Sequence, residues 1–215
     1  LVKIVGYTYL VQALRIFTAS HIDEGLSPVV ASAIAKYNST EYARHVINAS
    51  FDLHGGKAIC LGPKNYLYDD YINSPIGITV EGANVLTRSM IVFGQGAIRC
   101  HPYVLDEILA VEEADSKVGL EKFDRSFWSH FGFIVSNHFR SLFLGLTNGY
   151  FVRVKRKKSM RRYYQLATRF STILALVSDV AMISLGADLK RKECLSGRLA
   201  DMVSILYMVT AVLKY

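Results

Sequence analysis

Apolar residues in "VKIVGYTYLVQALRIFTASHI" (Val2 to Ile22) return at helical spacing, and "EGLSP" (Glu24 to Pro28) closes that segment with Gly25 and Pro28. A second helix is predicted from about Pro28 to Leu53, "PVVASAIAKYNSTEYARHVINASFDL", rich in alanine so that neighbours can approach its backbone. It stops at Gly55-Gly56, where glycine offers the left-handed backbone a helix C-terminus often adopts. Between Gly55 and Gly82 the chain is heavily punctuated by Gly56, Gly62, Pro63, Pro75 and Gly77, leaving room for one short helix, "KNYLYDDYIN". Asn84 is the expected N-cap of a third long helix running through "VLTRSMIVFGQGAIR". Beyond Arg99 to Pro102 the composition turns acidic and then aromatic, and three or four further helices are predicted, approximately 103–113, 121–150, 159–187 and 193–214. No segment alternates as a strand would. The expected fold is all-α, a helical bundle over residues 1–98 followed by a second helical domain over 99–215.

Composition narrows the class. With 215 residues, 51% hydrophobic and 20% charged, the chain can bury a core and is not a disordered polypeptide. Its net charge of +7 is concentrated in "RVKRKKSMRR" (Arg153 to Arg162), a run that suits an anionic partner or a solvated loop between helices. No nucleic-acid reading element accompanies it, so a nucleic-acid partner is not expected. Cys60, Cys100 and Cys194 form neither a disulfide framework nor a zinc spacing, which points to a reducing, cytoplasmic setting. The stretch Leu166 to Leu189 is the best membrane-span candidate, but Arg169 and Asp179 interrupt it, and an amphipathic helix buried in a bundle is expected instead. The sequence opens inside a helical pattern, and we expect it to be a segment of a longer protein.

Two features could carry chemistry. The pair Gly55-Gly56 in "DLHGGKA" lets a ligand come against backbone amides, although an ordinary helix stop is the plainer reading. In "ITVEGANVLTR", Glu81 stands beside Gly82 at the mouth of a helix. Such a carboxylate is either a solvated first-turn acid or a base held on a turn, its pKa raised by burial and lowered by the helix N-terminus. His45, His54, His101, His130 and His138 show no metal-ligand intervals and are expected to be structural or superficial. Phe127, Trp128, Phe131, Phe133, Phe139, Phe143, Tyr150 and Phe151 are expected to pack a core.

The order and spacing of these features carry a resemblance. The run "HGGKAICLGPKNYLYDDYINSPIGITVEGANVLTRSMIVFGQGAIRCHPYVLDE" resembles the C-terminal helical domain of acyl-CoA dehydrogenases, especially the long bacterial fatty-acid beta-oxidation type with an extra C-terminal helical domain. The likeness continues through "RRYYQLATRFSTILALVSDVAMISLGADLKRKECLSGRLADMVSILYMVTAVLKY" and so covers nearly the whole chain. The subgroup pattern is "VEGAN" followed by "TR" and "FGQGAIRCHPYV".

The resemblance implies an FAD-dependent enzyme that converts fatty acyl-CoA to trans-2-enoyl-CoA. Glu81 would be the base that takes the alpha proton, and Gly82 would lie beside the substrate thioester. Ala83, Asn84 and Val85 would approach the FAD, and the segment Asp52, Leu53, His54, Gly55 and Gly56 would meet the FAD pyrophosphate of a neighbouring subunit. Asp52 stands where many members carry Gln, Val80 where they carry Tyr and Ala83 where they carry Thr; an acid repels pyrophosphate, so Gly55 and Gly56 are the residues carried over. The implied partners are an electron-transferring flavoprotein or similar acceptor and further copies of the same chain. A helical membrane-surface or protein-interaction module is the alternative reading, supported by the basic run, and contact with the inner face of the bacterial membrane is compatible with either.

Overall fold

The computed structural model describes residues 1–80, 82–155 and 158–215. Among the described residues there are helices, turns and loops and no strand, as the hydrophobic patterning predicts. Two compact units are present, Leu1–Val92 with Tyr207–Tyr215, and Phe93–Leu206.

In the first unit α1 (Val2–Asp23) and α2 (Val29–His54) pack together, enclosing Ala13, Leu14 and Ile34. Tyr7 lies against Tyr42 with ring centroids 5.0 Å apart. The last turns of α10 (Glu193–Lys214) close on α1, where Thr18 Oγ1 meets the Tyr207 hydroxyl at 3.2 Å and Phe17 packs on the same ring. Gly55 ends α2 with φ +52, a conformation that a side chain strains to adopt.

The punctuated stretch holds more helix than its glycines and prolines predict. A single turn, α3 (Gly56–Ile59), follows directly, and α4 spans Tyr68–Thr79 with Pro75 inside it, six residues beyond the expected end. Pro75 has no N–H to give the carbonyl one turn back. Ser74 supplies the missing donor, its hydroxyl reaching the Tyr71 carbonyl at 2.9 Å. The predicted helix from Asn84 to Arg99 is also divided, into α5 (Asn84–Leu86), a π-helical stretch Thr87–Gln95 and α6 (Gly96–Cys100).

The second unit contains α7 (Val104–Val111), α8 (Ser116–Leu146), α9 (Lys158–Leu185) and a 3₁₀ turn, Gly186–Lys190, leading into α10. Helix α8 starts earlier than its apolar pattern suggests because Asp115 caps it, accepting from the Lys117 amide at 2.9 Å. Its C-terminal turn is clamped by α9. Arg162 donates to the Asn148 carbonyl at 2.8 Å, Gln165 to the carbonyls of Tyr150 and Val152, and Arg169 to the Asn148 side chain.

One expectation is reversed here. Helix α9 does not bury an apolar stripe: its enclosed residues are Gln165, Thr172, Asp179 and Ala181, while Phe170, Val180 and Ile183 are exposed. The inward polar positions recur every seven residues and so share one face. Most aromatics of α8 are likewise outside, with Phe127, Trp128, Phe131, Phe139 and Phe143 all exposed rather than packed in a core, while Phe133 is half-buried against His101 and Tyr103. Helices α9 and α10 are each long and apolar enough to cross a membrane, and only 17% of the most apolar window of α9 is buried within the chain.

Two glycines of α8 test this packing. A Cβ at Gly119 would stand 2.7 Å from the Ala110 carbonyl oxygen, whereas one at Gly132 would meet nothing within 4 Å. Gly119→Ala is therefore expected to destabilise the protein by about 1–3 kcal/mol through overpacking against backbone. Gly132→Ala should stabilise it by up to about 1 kcal/mol through helix propensity. Urea unfolding midpoints compare the two, and equal effects would contradict the α7–α8 packing.

Candidate functional site

The turn that leads into α5 is held by α2. Val80 leaves α4 in an extended conformation and Gly82 takes φ +92, so the helical path is broken between Thr79 and Asn84. Glu81 itself lies outside the described residues. Lys36 donates to the Gly82 carbonyl at 2.5 Å and to Asn84 Oδ1 at 2.8 Å. Asn84 Nδ2 in turn donates to Thr40 Oγ1 and Glu41 Oε1, both at 2.9 Å. Asn84 is thus 3% exposed with its amide engaged at both ends, and it is not the N-cap. Ala83 occupies the cap position without a side-chain bond, because the Asn84 side chain is committed to α2 instead. Val85 beside it is exposed.

The glycine pair sits elsewhere. Gly55 and Gly56 are exposed at the end of α2, and a Cβ on either would meet nothing within 4 Å. Gly55 follows Glu41 by fourteen positions along unbroken helix, a rise of about 21 Å. The structure therefore brings Gly82, Ala83, Asn84 and Val85 together and keeps Gly55 and Gly56 apart from them. Around the pair, His54 Nε2 meets the Tyr66 hydroxyl at 2.6 Å, Lys57 lies over the Tyr66 ring, and Asp52 is exposed.

A second constellation escapes sequence reasoning. His101, His130 and Asp179 come from the loop before α7, from α8 and from α9, and their ligand-type atoms all lie within 4.8 Å of one another. His101 Nε2 is 2.9 Å from Asp179 Oδ1, and His130 Nδ1 is 2.8 Å from Glu107 Oε1. His101 Nδ1 faces the amides of Tyr103 and Val104 at 3.2 Å each, so it accepts from them and the ring proton sits on Nε2. These histidines are joined to carboxylates far away in sequence, and no local spacing reveals it.

A groove of about 460 Å³ between α7 and α8 is lined by Asp106, Glu113, Lys122 and Arg125 among others. Lys122 donates to Glu113 there, and that hydrogen bond holds the Glu113 carboxyl below its usual range. Arg125 reaches Glu121 on its own helix instead.

These observations define an all-helical chain with a pinned glycine turn in one unit and a buried histidine–carboxylate cluster in the other. The family described as acyl-CoA dehydrogenase, C-terminal, bacterial type, matches residues 98–215, more than half of the chain. The chain belongs to this acyl-CoA dehydrogenase family. The family is one of oxidoreductases and is generally flavin-dependent. The glycine pair and the turn at Gly82 precede the matched residues. No solved structure matches the chain.

The pinning of the turn is measurable. Asn84→Ala removes partners from Lys36, Thr40 and Glu41 at once and should cost about 1–3 kcal/mol of stability. An unchanged urea midpoint would show that the turn does not depend on Asn84.

Proposed function

We propose that the chain is part of an FAD-dependent acyl-CoA dehydrogenase that oxidises fatty acyl-CoA to trans-2-enoyl-CoA in beta-oxidation. The observation that supports this most is the turn at Gly82, the next residue in sequence after Glu81, fixed to α2 by Lys36 and Asn84. A base on a pinned turn needs no reorganisation when charge develops on the substrate. Glu81 would take the alpha proton, with Gly82 beside the thioester and Ala83, Asn84 and Val85 on the flavin side. Bound FAD would supply the acceptor for the beta hydrogen, which leaves as hydride.

The residues around the glycine pair suit a pyrophosphate. The space around Gly55 and Gly56 is open and Lys57 follows with a positive charge, while the Gly55 amide already bonds the Phe51 carbonyl at 2.8 Å. The pair stands about 21 Å along α2 from the anchor of the turn, and by the family resemblance it would serve a neighbouring copy's cofactor in a homo-oligomer. Electrons would pass to an electron-transferring flavoprotein or a similar acceptor in the cytoplasm. Glu81→Gln in the full-length protein should retain flavin and lose turnover by several orders of magnitude. Turnover near the wild-type rate would refute the role of Glu81.

A second reading is favoured by the outward aromatics of α8 and the basic run beside them. Phe139, Phe143, Tyr150 and Phe151 are exposed, as are Arg153 and Lys155; Arg156 and Lys157 lie outside the described residues. Apolar rings next to a polybasic segment suit the inner face of a bacterial membrane, each charge adding about 1 kcal/mol near anionic lipid. Sedimentation with phosphatidylglycerol vesicles should show salt-sensitive binding that disappears when Arg153, Lys155, Arg156, Lys157 and Lys158 are changed to Gln. Binding that is absent in the wild type, or unaltered by these changes, counts against this reading.

A further inference from the structure

We propose that His130 and Asp179 bind a divalent transition-metal ion, with Glu107 and His101 as the outer residues that orient them. The site is independent of the flavin chemistry, and it rests on two unpartnered atoms. Asp179 is 1% exposed, yet its Oδ2 has no hydrogen-bond partner. His130 Nε2 is also buried without a partner. A buried carboxylate oxygen and a buried imidazole nitrogen left open together are costly unless something lies between them.

Charge and geometry select a metal ion. Among the described residues, Asp179 and Glu107 are paired only with imidazoles and with no Lys or Arg. A cation placed between Asp179 and His130 would balance the charge of the enclosed carboxylates. His130 Nε2 and Asp179 Oδ1 are 3.7 Å apart. Two ligands on one tetrahedral ion with bonds near 2.1 Å lie about 3.4 Å apart, so the His130 ring and the Asp179 carboxylate stand at close to ligand separation.

The outer residues are already placed. His130 Nδ1 donates to Glu107, which leaves Nε2 as the bare nitrogen a metal requires. His101 cannot ligate in the same way. Its Nδ1 is occupied by the amides of Tyr103 and Val104, so its Nε2 carries the proton and donates it to Asp179 Oδ1. It therefore steadies the carboxylate and leaves Oδ2 for the ion. Water would fill the remaining positions, entering on the His130 side, where the ring is 13% exposed. An imidazole and carboxylate pair suits Zn²⁺, Co²⁺ or a similar borderline ion over Mg²⁺ or Ca²⁺.

The test is equilibrium dialysis of the purified, chelator-stripped full-length protein against Zn²⁺ and Co²⁺. Bound metal is counted by mass spectrometry, and the melting temperature is read with and without Zn²⁺. One ion per chain and a rise in melting temperature are expected. His130→Ala should abolish both, and His138→Ala, at an exposed histidine outside the cluster, should change neither. Glu107→Gln keeps both ligands and should weaken binding about 10- to 100-fold, which keeps the test decisive should His130→Ala fail to fold. Absence of stoichiometric metal in the wild type, or undiminished binding in either His130→Ala or Glu107→Gln, overturns the proposal.

Discussion

The second unit depends on a carboxylate enclosed in the middle of a long helix. Asp179 lies within the apolar stretch of α9 and is shut away from water. Burial of an unpaired carboxylate would be prohibitive, so the neighbouring elements must bring polar groups to it. His101 does so from the loop before α7, and the same ring accepts two amides at the start of that helix. One imidazole thereby fixes both where α7 begins and how α9 is turned. His130 adds a third element, stacking on Tyr103 and bonding Glu107, so α7, α8 and α9 are tied through a few polar atoms.

The first unit solves a similar problem with a neutral group. Asn84 offers an acceptor to Lys36 and donors to Thr40 and Glu41, all on one side of α2. An amide can bridge a cation and an anion without carrying charge into the interior. The result is a glycine turn fixed to a long, unbroken helix. The two units thus spend their buried polar groups on position.

Much of the helical layout was legible because punctuation in the sequence is local. Gly25, Pro28 and Gly55 end or separate helices where their backbone preferences say they should. The failures have equally physical causes. Pro75 did not stop α4 because Ser74 repairs the gap, a compensation that pattern reading does not weigh. Asn84 looks like a cap but serves a contact made 43 to 48 residues away. The His101–Asp179 pair spans 78 residues, and only the folded chain can join them. The aromatics of α8 were misplaced for another reason: apolar spacing tells which face is greasy, not whether that face is covered by this chain.

The uninterrupted course of α2 carries a consequence of its own. It works as a ruler and as a protractor, because each residue inserted or removed between Glu41 and Gly55 would move the glycine pair about 1.5 Å and swing it about 100° around the axis. No loop lies between the two marks to absorb such a change. Length variation in this part of the chain is therefore restricted to its turns, and the spacing between the two glycine-bearing bends is set by helix geometry alone.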